Sequence, residues 1–227
     1  MALLVGQPAQ GKSSLAGQIV RERVGAGRWV FVQDSNREFR HVFTGWASTA
    51  EWKRYAASGG AVDDGPAVAE NAAHAQRVAD DSASTLIYRG AAFDCPDGAD
   101  ELVDLALELG AAWNQQHGEV REPICILLNE PSQLDASGST YLGKNLERLI
   151  NQRRHLGVEL ILCLQRPTMM QTGVWAVVTD CYMFGLRRSD DRDKLERELG
   201  LPRGTLAELG TLPAHHYKHW RVGQGLL

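Results

Sequence analysis

At 227 residues the chain is long enough for one α/β domain with a sizeable buried core and too short for two of ordinary size. Its 24 basic and 28 acidic side chains leave a net charge of −4, which excludes a globally basic nucleic-acid binder and confines any DNA contact to a local patch or a pore built by several subunits. Four scattered cysteines, Cys95, Cys125, Cys163 and Cys181, lack CxxC spacing and argue against a disulfide framework or zinc site.

Along the chain, Ala2 to Val5 is an apolar run, followed by a glycine-bearing loop and a helix over Ser14 to Glu22. Met1 leads straight into that strand with no basic leader, and the apolar runs fall short of the about 18 residues that a bilayer span requires, so a soluble chain with no transmembrane segment of its own is expected. Trp29 to Val32 reads as a second strand ending at Gln33 and Asp34. From about 44 to 84 the composition shifts to Ala, Gly, Asp and isolated aromatics, with turn signals at Gly59-Gly60 and Asp63-Asp64-Gly65-Pro66. This stretch is read as a helical insertion on a single domain spanning 1–227.

Thr85 to Tyr88 is predicted as a third strand, Asp100 to Asn114 as an amphipathic helix and Ile124 to Leu128 as a strand buried on both faces. Ser139 to His155 carries Leu142, Leu146, Leu149 and Ile150 at helical spacing, with Lys144, Arg148 and Arg153 turned elsewhere. Val158 to Leu164 and Tyr182 to Leu186 read as strands. Asp190 to Leu199 reads as a charged helix closed by Gly200 and Pro202, and His216 to Val222 as a last strand with alternating faces. Strands alternating with helices predict an α/β fold: three layers around a mainly parallel central sheet.

Chemistry concentrates at Gly6-Gln7-Pro8-Ala9-Gln10-Gly11-Lys12-Ser13, which satisfies G-x-x-x-x-G-K-[ST] between a predicted strand and a predicted helix. Such a loop turns its N–H groups and the following helix N-terminus toward phosphates, and Ser14 extends that set. Lys12 would reach the β and γ phosphates of ATP, and Ser13 would ligate Mg²⁺. Glu130, after the apolar run 124–128, is the candidate for polarising the attacking water. Asn129 stands where a carboxylate would be expected; its amide oxygen can accept from a magnesium-bound water but adds no charge, so either the metal is held more weakly or Asp34 or Glu38 shares that role. Gln165, at the end of the next strand, would face the γ phosphate from the sheet's carboxyl edge.

The run Arg154-His155-Leu156-Gly157-Val158-Glu159-Leu160-Ile161-Leu162-Cys163-Leu164-Gln165-Arg166-Pro167 resembles the R-x-x-G-[IV]-x-[LI]-[IVL]-x-x-x-Q-R-P signature of the HerA/FtsK superfamily of DNA-pumping ATPases. Phe184-Gly185-Leu186-Arg187-Arg188-Ser189 with Asp191-Arg192 is similar to a later element of that superfamily, and Asp34 through Glu38 and Phe39 to its D-x-x-x-E-[YF] segment. Within it, a domain of this length that starts at the P-loop strand resembles the genome-packaging ATPases of tailless, membrane-containing icosahedral DNA viruses. The resemblance implies a homo-oligomeric ring, usually hexameric, around double-stranded DNA. It also implies Arg154 as an arginine finger toward a neighbouring subunit's ATP, docking on a capsid or membrane portal complex, and a place in the host cytoplasm or with the virion.

Arg187 and Arg188 are second candidates for a trans or DNA-facing role. Lys53, Arg54, Arg89 and Arg166 with Thr168 are candidates for gripping DNA phosphates, each with an ordinary surface role as the alternative. His215, His216 and His219 suggest a metal site only weakly, since no Cys or carboxylate cluster accompanies them. Two rival functions remain at this level: a small-molecule or nucleotide kinase, and a nucleotide-binding scaffold that does not hydrolyse.

Overall fold

The computed structural model describes residues 1–26, 29–34, 67–68, 86–89, 124–130, 149–153 and 157–227. Their strands form one nine-stranded sheet, built on β1 (Ala2–Val5), β2 (Trp29–Asp34), β3 (Ala67–Val68), β4 (Leu86–Arg89), β5 (Ile124–Asn129), β6 (Val158–Leu164), β7 (Asp180–Met183), β8 (Lys218–Arg221) and β9 (Gly225–Leu226). The order across the sheet is β3-β4-β2-β5-β6-β1-β7-β8-β9. Every pairing from β3 to β7 is parallel, and β8 and β9 add an antiparallel edge. β1 therefore lies inside the sheet, with the strand ending at Asn129 one strand away and the strand preceding Gln165 directly beside it.

Side chains alternate between two apolar layers, as the period of a strand dictates. On one face Leu4, Val30, Val32, Cys125, Leu127, Ile161 and Cys163 pack against Ala16 and Val20 of α1 (Lys12–Gly25). On the other, Leu3, Val5, Ile126, Leu128, Leu160 and Leu162 meet Leu149 and Ile150 of the helical residues 149–153, Val174 and Trp175 of α2 (Thr172–Trp175), and Leu195 of α3 (Ser189–Glu198). Each fully buried aliphatic side chain contributes roughly 1.5–3 kcal/mol. The three layers expected from the sequence are thus present. Cys125, Cys163 and Cys181 are buried, and burial in apolar surroundings pushes the Cys181 thiol well up, which keeps it neutral.

Several boundaries differ from the sequence reading. α1 begins at Lys12, because the loop feeds directly into the helix, and runs on to Gly25. Its far end is tied down by Arg23, which donates to both carboxylate oxygens of Glu159 at 2.6 and 2.9 Å. β7 stops at Met183 although the apolar pattern continues to Leu186; β1 bends away into its loop at Gly6, so the ladder closes with Phe184 N–H on Val5 O, Gly185 O accepts Gln7 N–H from the loop, and Leu186 N–H turns to Leu209 O. The last strand is shorter than expected and turns back through β9. Two residues of the stretch read as an insertion form β3. The remainder of 44–84 outside β3, the predicted helix at 100–114 and most of that at 139–155 lie outside the described residues.

α3 ends as its sequence predicts. Leu201 N–H reaches Glu196 O and Gly200 N–H reaches Arg197 O, with Gly200 at φ +68°, which is the Schellman arrangement. The Glu196 side chain, 4 % exposed, then accepts from Gly204 N–H at 2.8 Å and Leu206 N–H at 2.7 Å. Glu196→Ala would strand both backbone donors and is expected to cost about 3 kcal/mol, read as a lowered denaturant midpoint; an unchanged midpoint would show that the loop is held by other means.

Candidate functional site

Parallel strands leave a crevice at their carboxyl ends where the chain order reverses, and here the loop Gly6–Gly11 fills it between β1 and α1. The turn is tight. Gly6 N–H bonds Leu164 O and Gln7 N–H bonds Gly185 O, which stitches the loop to the tips of both neighbouring strands. A Cβ on Gly6 would stand 2.6 Å from Phe184 Cβ, and one on Gly11, at φ +102°, 2.9 Å from His215 Nδ1, so both positions admit only glycine without rearrangement. Ala9 takes φ +59°, at a cost of about 1 kcal/mol.

Lys12 opens α1 with its ammonium folded back over the loop. It is 5 % exposed, and its Nζ donates to Gly6 O at 2.6 Å and Gln7 O at 2.9 Å. A buried ammonium needs such acceptors, and these carbonyls fix the charge at the mouth of the loop. Ser13 and Ser14 follow in the first turn of α1, whose N-terminus carries positive partial charge.

Beyond β6, the tip of β5 presents Asn129 and Glu130, 1 % and 3 % exposed. Glu130 is at φ +53°, the left-handed region that a glutamate enters only when its surroundings enforce it. Two bonds do so: its N–H reaches Cys163 O at 2.9 Å, and its Oε2 accepts Gln165 N–H at 3.1 Å. A series of direct bonds therefore runs from Lys12 through Gly6 to the tip of β6, and from that tip to Glu130. Asn129 registers with Cys163 on one side and Asp34 on the other. Glu38 lies outside the described residues.

For a magnesium ion the fit is that of a nucleotide-borne metal. Among the described residues no three His, Cys, Asp or Glu cluster as a metal cage, including His215, His216 and His219. Ser13 and Asn129 offer neutral oxygens, and magnesium commonly takes only one or two protein ligands beside waters and phosphates.

Arg154, Lys53 and Arg54 lie outside the described residues, and Arg89 contributes backbone to β4. Arg153, read as turned away from its helix's apolar stripe, is 6 % exposed and donates to Ile150 O and Val177 O, because the end of its helix packs against the turn after α2. Arg166 and Thr168, read as possible DNA contacts, are engaged internally. Asp191 accepts from both the N–H and the hydroxyl of Thr168, at 3.2 and 2.7 Å, while Arg166 lies 3.5 Å from Asp190 and 3.7 Å from Asp191. Arg187 and Arg188 are exposed, Arg188 in a two-point pair with Asp190.

The sequence reading missed the C-terminal segment beside the loop. His215 N–H donates to Gln10 O at 2.8 Å, and the Gln10 side chain lies against Gly185 and close to Leu212. Nothing in residues 211–217 carries a motif; only the alternation into β8 hints that they return to the sheet.

The architecture is that of a P-loop NTPase: a mainly parallel three-layer sheet with the phosphate-type loop at its inner strand. No protein-family model and no curated protein matches the sequence. Among solved structures the chain is similar to the genome-packaging NTPase B204 from Sulfolobus turreted icosahedral virus 2 in complex with AMPPCP, at TM-score 0.67 and 15 % identity over 100 % of this chain and 95 % of that one. It is also similar to VirB4 of Thermoanaerobacter pseudethanolicus, at 0.58 and 11 % over 100 % and 87 %. A third is the pCW3 conjugation coupling protein TcpA with ATPγS, at 0.60 and 13 % over 100 % and 58 %. What the chain shares with them is a fold, the mainly parallel three-layer sheet of P-loop NTPases of the RecA/ASCE kind. No helix among the described residues is long and apolar enough to cross a membrane.

Proposed function

We propose that the chain binds Mg-ATP in the loop Gly6–Ser14 and hydrolyses it to move double-stranded DNA through a ring of its own copies, packaging a viral genome. The observation that carries the hydrolytic part is Glu130: a carboxylate held in a left-handed conformation, buried, and bonded to the residue that ends the strand beside the loop. A carboxylate that served only solubility would have neither the strain nor the burial. The motor part is supported by the Q-R-P run after β6 and by likeness to a structure described as a genome-packaging NTPase.

In this reading the loop amides and Lys12 neutralise charge on the β and γ phosphates as the terminal phosphoryl group departs. Ser13 and Asn129 hold magnesium, which when bound spreads that charge further. Glu130 orients and polarises the attacking water, and Gln165 contacts the γ phosphate, so that its loss is felt at the tip of β6. Arg154 reaches a neighbouring copy's nucleotide, its guanidinium offsetting charge in the transition state. A ring needs no net positive charge on each subunit, since a few cations facing the pore suffice to grip phosphates.

The test is phosphate release from ATP with and without duplex DNA and with no small acceptor present, alongside the mass of the assembly with an ATP analogue. DNA-stimulated release from a ring is the expected result. A monomer that releases no phosphate under these conditions and transfers it only once a small acceptor is added would make the chain a kinase. Binding without turnover, even in assembled rings with DNA, would make it a scaffold, the outcome that the neutral Asn129 favours.

A further inference from the structure

The sheet order fixes more than the catalytic end of the site. If Glu130 and Gln165 face the γ phosphate, on the β5–β6 side of the loop, then the α phosphate, ribose and base must leave on the opposite side, over β7 and β8. The C-terminal segment stands there. His215 adopts φ +65° while bonded through its N–H to Gln10 O, a conformation that persists only where the surroundings over-determine it. Its ring lies against the position a Gly11 side chain would take.

Two residues on, Tyr217 heads a ladder of rings on the same side of the sheet as α1. Its ring lies 5.3 Å from Phe184 and 5.6 Å, edge-on, from Tyr182, and Tyr182 stacks on His219 at 4.3 Å and 7°. His219 is fixed from behind by Asp180, at 3.1 Å. Despite this backing Tyr217 keeps 43 % of its surface exposed, and His215 and His216 are exposed beside it. An aromatic ring held rigid from behind, open in front and next to the loop that receives phosphates is a platform for a flat π-system.

We propose that Tyr217, with His215 at its edge, is the nucleobase-stacking platform of this site, so that the chain takes nucleoside triphosphates in preference to bare polyphosphate. The inference rests on the loop being a nucleotide site, and a paired measurement separates the two. Dissociation constants for Mg-ATP and for magnesium tripolyphosphate are measured calorimetrically on the full chain, as wild type, Tyr217→Ala and Tyr217→Phe. Wild type is expected to prefer ATP. Tyr217→Ala is expected to weaken ATP about tenfold while leaving tripolyphosphate unchanged, and Tyr217→Phe, which keeps the π-face, to behave as wild type.

Equal affinities of the wild-type chain for both ligands would overturn the platform and leave the phosphate loop standing, and this comparison needs no variant to fold. So would a Tyr217→Ala that loses both ligands by one factor or neither at all. A wild-type chain that binds neither ligand would overturn the loop reading and the platform together.

Discussion

Lys12→Ala is expected to lower ATP turnover by at least about 10²-fold, the scale seen when one preorganised donor is removed from a developing negative charge in a water-poor site. The lysine is already in place: its ammonium is buried and fixed by Gly6 O and Gln7 O, so little reorganisation accompanies the reaction. Substitution also removes the donor serving those two carbonyls, which costs about 1–3 kcal/mol for a buried group left unpaired. Thermal melting must therefore accompany phosphate release. A variant that folds as wild type and turns over as fast would remove Lys12 from the chemistry.

Glu130→Gln separates binding from hydrolysis. A glutamine keeps a side-chain oxygen to accept Gln165 N–H and imposes the same backbone cost at φ +53°, so the fold and the affinity for ATP are expected to persist. What it loses is the carboxylate proposed to polarise water. Turnover should fall on the order of 10²–10⁴-fold, the usual contribution of a positioned general base. The checks are single-turnover phosphate release and ATP binding on the same preparation. Unchanged release would move the water-activating role to another carboxylate, Asp34 being one candidate because its backbone registers with Asn129.

What the sequence made legible follows from the range of the interactions involved. The loop, its flanking strand and helix, and the buried strands β5 and β6 are local patterns: glycines at fixed spacing, an apolar run with no polar interruption, a period of 3.6. Glu130 and Gln165 were singled out because each stands at the end of such a run. The left-handed backbone at Glu130 was not, since it is enforced by Cys163 and Gln165, more than thirty residues away. The same holds for Arg153, whose position outside the predicted apolar stripe suggested solvent while Val177 O drew it inward.

For Arg166 and Thr168 the sequence offered a DNA contact or an ordinary surface role, and it could not show their bonds to Asp190 and Asp191, which come from a helix start that only the fold brings there. The segment 211–217 carried no signal because its importance lies wholly in which loop it touches.

The grip of Asp191 on Thr168 couples the site to the outside of the molecule. Gln165 is three residues from a hydroxyl and an amide that are both clasped by one carboxylate at the start of α3, while Arg192 on the next position holds Leu186 O and Arg187 O. The strand tip and the outer helix thus form one stiff linkage. α3 is therefore anchored at its start to the segment that follows β6 and to the one that follows β7.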